Sequence, residues 1–156
     1  YTDPVSGAFC VVTPAYNDRL RPKDDTDEKL LDRVVAKAVP VGVVYKIVDD
    51  AEFALAQLAD RSFRDAWVDG GTGKPIVDMA KARAIHMNAI RRVRDAELSK
   101  QDIAFLRAME AGDLVTQKAV TVERQRLRDI PQTFDLTVHK TPVALRDAWP
   151  EKLPKK

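Results

Sequence analysis

The sequence predicts an α+β fold, with a small antiparallel β-rich N-terminal unit followed by an antiparallel helical hairpin or three-helix C-terminal half. Three observations predict it. After Asp78 the apolar residues Met79, Ala82, Ile85, Ala89, Val93 and Ala96 recur at the three-and-four spacing of one helix face. The stretch 78–129 contains a single glycine and no proline. Before Asp78, short β-prone runs alternate with glycine and proline turns. The expected divisions are a docking unit over 1–77, the helical hairpin over 78–131, and a turn, short helix and tail over 132–156.

In chain order, Ala8 to Thr13 is β-prone, and the Asp3-Pro4 and Ser6-Gly7 turns make a short hairpin of the opening. A polar loop over 17–27 leads to a helix capped by Thr26, with Leu30, Leu31, Val34, Val35 and Ala38 on its apolar side. Pro40 stops it. The run 41–48, VGVVYKIV, then reads as a strand buried on both faces and closed by Asp49 and Asp50. A short helix is expected over 51–59. Residues 63–68 and 76–77 flank the Gly70-Gly71-Thr72-Gly73 turn as a second hairpin.

From Asp78, a good N-cap, the helical pattern runs to about Leu98. It restarts at Ser99 with Ile103, Phe105, Leu106 and Met109 on the apolar side. Ala111-Gly112-Asp113 reads as a C-cap glycine followed by an N-cap. A further helix from Leu114 to about Arg128 turns Val115, Ala119 and Val122 inward, and Pro131 ends it. Thr141 and Pro142 start a last short helix.

The chain has 156 residues, 45% hydrophobic, 32% charged and only 6% aromatic. That is enough for one aliphatic core and too charge-balanced for a disordered tail. Its net charge is +2. Residues 1–77 hold 10 basic and 13 acidic groups, and residues 78–156 hold 16 and 11. This mild asymmetry suits a solvated helix face and disfavours nucleic acid, which needs clustered basic surface. The single cysteine, Cys10, excludes an internal disulfide and reads as a small buried hydrophobe. There is no signal peptide and no apolar run of eighteen, so no membrane role is expected. Tyr1 in place of a methionine points to leading residues outside the sequence.

No catalytic constellation can be assembled. Gly70-Gly71-Thr72-Gly73-Lys74 fails as a phosphate loop, because Val68 stands where its first glycine belongs and Pro75 where its hydroxyl belongs. His86 and His139 lack metal-ligand neighbours, and Ser6, Ser62 and Ser99 sit in no nucleophile elbow. The expectation is therefore no enzyme, cofactor, metal or small-molecule substrate. Arg91, Arg92 and Arg94, and Arg124, Arg126 and Arg128, form two basic clusters. Pairing of Arg91 with Asp95 and of Arg126 with Asp129 would quench them, and an unquenched cluster would meet an acidic partner. Trp149, before Pro150, is a core anchor or a partner contact. Ile90, Val120 and Leu127 lie off the main apolar stripes, as residues facing a partner would.

Four segments carry a resemblance. RQRLRDIP over 124–131 and WPEKLP over 149–154 resemble the C-terminal part of tailed-bacteriophage tail assembly chaperones and tail-fibre assembly proteins. DMAKARAIH over 78–86 and RAMEAGD over 107–113 resemble a helical segment of small phage proteins associated with tail fibres or baseplates. The resemblance implies a non-enzymatic protein bound to tail-fibre or baseplate proteins, in several copies around a symmetry axis. It would be located in the virion tail, and in the host cytoplasm during assembly. The longer insert between Pro131 and Trp149 departs from the chaperone pattern and leaves room for a structural virion component. A transient assembly chaperone and a nucleic-acid-binding regulator are the alternatives.

Overall fold

The computed structural model describes residues 1–16, 19, 21–48, 61–71 and 75–155. The fold is α+β: a two-stranded antiparallel sheet precedes two long helices. The chain divides into two compact units, Tyr1–Asp78 and Met79–Lys156.

In the first unit the opening residues fold back through one antiparallel bridge, Thr2 to Phe9, with Gly7 at φ +66° in its turn. Helix α1 (Asp27–Ala38) starts where Thr26 accepts a hydrogen bond from the Lys29 amide. The expected apolar side, Leu30 to Ala38, is only half-buried. What fixes the helix entry is a charge knot. Both guanidinium nitrogens of Arg33 reach the Asp25 carboxylate at 2.6 Å, and Arg21 joins it at 3.2 Å. The Asp25 side chain is 2% exposed, and the Arg33 and Arg21 guanidiniums hold its carboxyl below the usual carboxylate range.

A depressed carboxyl stabilises the fold above its unfolded-state pKa and loses that contribution as pH falls through its folded value. The expected result is that α1 loosens only below the ordinary aspartate range of about 4. A carboxyl-carbon NMR titration of Asp25 checks this, and an ordinary aspartate midpoint would contradict the knot.

The segment 41–48 differs from expectation. It is neither a strand nor buried: Val41 is fully exposed and Val44 is 89% exposed. Gly42, at φ +81°, turns the chain after Pro40. A β-prone run forms a strand only where another strand completes its ladder, and no described residue does so here. The expected helix over 51–59, its Asp49-Asp50 boundary and Thr72 to Lys74 lie outside the described residues.

Strands β1 (Trp67–Asp69) and β2 (Pro75–Val77) form the second hairpin, with Trp67 opposite Val77 and Val68 opposite Ile76. Asp69 accepts from the Gly71 amide and fixes the first half of the turn. A 3-10 turn at Arg64–Ala66 replaces the start of the expected strand. Phe63, Ala66 and Trp67 are buried.

The second unit is built on α2 (Met79–Glu110) and α3 (Leu114–Thr133), an antiparallel helical hairpin. The expected break near Leu98 is absent. No Gly or Pro interrupts α2, and the Ser99 hydroxyl donates to the Asp95 carbonyl one turn back rather than capping a new helix. At about 1.5 Å per residue, α2 is about 48 Å long.

The link between these helices forms as the residues dictate. Gly112, at φ +67°, donates to the Met109 carbonyl and Asp113 donates to Ala108, the paired bonds of a Schellman ending. Asp113 then accepts from the Val115 and Thr116 amides as the N-cap of α3. Its carboxyl is held low, first by the Thr116 hydroxyl. Pro131 does not end α3. It lies in the final turn, where few backbone bonds remain to be lost, and Phe134 closes the helix onto the Ile130 carbonyl. Helix α4 (Pro142–Asp147) follows with Thr141 as its N-cap.

The core of this unit is Ala82, Ile90 and Ala108 of α2, Val120, Leu127 and Ile130 of α3, and Leu136, Leu145, Ala148 and Leu153 of the tail. It is almost wholly aliphatic, as the low aromatic content requires.

Candidate functional site

The C-terminal segment docks on α2 through a few polar bonds at the ends of long side chains. Arg83 donates from Nε to the Leu136 carbonyl at 3.1 Å and from Nη2 to the His139 carbonyl at 3.1 Å. One turn on, His86 is buried at 7% exposure. Its Nε2 lies 2.6 Å from the Ala148 carbonyl. A carbonyl can only accept, so this nitrogen carries the proton. Trp149 meets the His86 ring edge-on at 5.7 Å, and its indole N–H donates to Leu153 at 3.0 Å. Arg126 reaches the Lys152 carbonyl at 3.5 Å. The first turns of α2 and the segment 149–154 are thus joined directly.

The structure redistributes the residues expected to meet a partner. Ile90, Val120 and Leu127 are 0%, 8% and 1% exposed, so they form the core of the helical unit rather than an outer face. Conversely, Val115 and Val122, expected inside, are 80% and 70% exposed, and Ala119 is exposed between them. Both sets satisfy helical spacing. The stripe with Leu127 and Ile130 is bulkier and therefore removes more apolar area from water. On α2, Ile103, Leu106 and Met109 also face outward instead of in, while Phe105 is half-buried.

Most of the arginines are already engaged. Arg94 pairs with Asp95, which was expected to pair with Arg91; Arg91 instead donates to Asn88 at 3.2 Å. Arg124 crosses to Asp102 at 2.8 Å and lies 5.2 Å from the Phe105 ring centre. Arg126 grips both oxygens of Glu123, not Asp129, and holds that carboxyl below its usual range. Asp129 accepts from Gln125. Arg92 is exposed and has no ion-pair partner among the described residues.

Arg83 and His86 are not among the site residues that the sequence singles out. Their signal was available in part: positions 83, 86 and 90 share one helix face, and Ile90 is apolar. His139 is half-buried. Among the described residues no group of three or more His, Cys, Asp or Glu could hold a metal, and no helix is long and apolar enough to cross a membrane. No protein family matches the sequence, and neither a curated protein nor a solved structure matches it.

Proposed function

We propose that this chain is a non-enzymatic phage tail protein that binds tail-fibre or baseplate proteins as a structural component of the virion. The observation that carries this reading is the second apolar face of the helical hairpin. Leu106, Val115 and Val122 stand more than half exposed on helices whose cores are filled by other residues. Apolar side chains repeated at helical spacing on the outside of a hairpin suit packing against another protein. The resemblance of 78–86, 107–113, 124–131 and 149–154 supplies the class of partner. The engagement of Arg94, Arg124 and Arg126 by carboxylates weighs against the nucleic-acid alternative.

The test is mass spectrometry of purified particles from a phage encoding this chain. The expected result is the protein in finished virions in fixed ratio to a fibre or baseplate protein. The double variant Leu106→Asp with Val122→Asp is expected to disappear from particles while its melting temperature stays unchanged. Presence only in assembling lysates would turn the reading to a transient chaperone. Absence from every tail intermediate would end it.

A further inference from the structure

Between α2 and the C-terminal tail lies a cleft of about 420 Å³ that none of the roles above uses. Its lining divides by chemistry. Ala89 and Val93 of α2, with Trp149 of the tail, supply apolar surface. Arg92, Arg146 and Lys155 supply positive charge, and Asp147 is the one carboxylate among its described residues. Arg146 pairs with Asp147 at 3.1 Å, so the positive excess comes from Arg92 and Lys155, and a cleft of one sign attracts the opposite charge.

We infer that this cleft binds an acidic peptide segment, with a carboxylate side chain between Arg92 and Lys155 and an apolar neighbour against Trp149. Two features make it a prepared site. The Trp149 ring is locked in place by its bond to Leu153 and by the edge contact with His86, which is itself tied to Ala148. A fixed aromatic wall costs a ligand little ordering. Two of the cations also retain unused capacity. Arg92 is exposed with no ion pair among the described residues, and Lys155 contacts a carbonyl, Asp147 O at 3.4 Å, which leaves its charge uncancelled.

The charge is a spot, not a track. Beside it on α2, Arg94 is paired with Asp95, and on α3 Arg126 is held by Glu123. A nucleic-acid strand needs successive phosphate contacts along a basic stripe, whereas one or two carboxylates need only this cluster. The cleft volume also falls in the range that holds a few side chains. The inference stands whether or not the partner is a tail protein.

The experiment titrates the full chain with a labelled peptide of alternating acidic residues and leucine at low salt. It follows anisotropy together with the Trp149 indole N–H signal by NMR. Saturable binding that shifts this signal is expected, with no binding of the matched glutamine peptide. Arg92→Glu with Lys155→Glu, both exposed positions, is expected to weaken binding at least about tenfold, or about 1.4 kcal/mol, without changing the melting temperature. No binding of the acidic peptide, or binding that leaves the Trp149 signal still, overturns the inference. So does a single-stranded oligonucleotide that binds more tightly and loses as much affinity in the double variant.

Discussion

Leu127→Ala is expected to destabilise the helical unit by about 2–5 kcal/mol, while Val122→Ala changes stability by less than about 0.5 kcal/mol. The two positions lie five residues apart on α3, and sequence periodicity alone favours Val122 as the inner one. Leu127 is 1% exposed and Val122 is 70% exposed. Truncating Leu127 removes buried methyl groups and leaves a cavity in the core of the helical unit, whereas truncating Val122 removes surface already in water. Urea denaturation of both variants checks this through the midpoint at constant slope. Equal effects at the two positions would mean that α3 is rotated from the orientation described.

This pair shows how much of the fold could be read from the residues. Features set by one or two local groups were legible. Thr26, Asp113 and Thr141 cap the helices they were expected to cap, and Gly112 turns the chain between α2 and α3. Local hydrogen bonds decide such positions, and a side-chain oxygen or a missing Cβ announces them. Features set by tertiary competition were not legible. α3 carries two apolar stripes of acceptable spacing, and packing against α2 and the tail favours the bulkier of them. The segment 41–48 has strand-forming residues without a strand to pair with, which no local pattern reveals. Ser99 looked like a helix restart because serine suits caps, yet with no Gly or Pro nearby the continuous helix retains more backbone bonds.

The candidate site was legible only in its outline. Trp149 stands out in the sequence, with a core role weighed against a partner contact. The structure gives it intramolecular contacts to His86 and Leu153 and a half-buried position on the cleft wall. The arginine clusters were visible, but the pairing that quenches Arg124 is set by Asp102, on the opposite helix. Helix spacing reports partners on the same helix and is silent about those across an interface.

The second large effect is expected at Arg83 and His86. Arg83→Ala removes two hydrogen bonds from a charged donor to the carbonyls of Leu136 and His139, and His86→Phe keeps a ring beside Trp149 but removes the donor to Ala148. Each change is expected to cost about 1–3 kcal/mol, because a carbonyl inside the docked segment is left without a donor. The loss should be local at first. α2 and α3 share their own buried contacts, while the tail depends on these bonds and on Leu145, Ala148 and Leu153. Hydrogen exchange at the Ala148 amide, bonded to Ala144, should therefore accelerate before exchange within α3 does. The double variant should lose less than the sum of the two. Both residues hold successive parts of one segment, so releasing it at either point reduces what the other bond can contribute. Strict additivity, or uniform acceleration through both long helices, would show that Arg83 and His86 support the whole helical unit rather than the attachment of the tail. The same attachment positions Trp149, Arg146 and Lys155 around the cleft, so a detached tail should abolish acidic-peptide binding even in Arg83→Ala, whose substituted residue does not line the cleft.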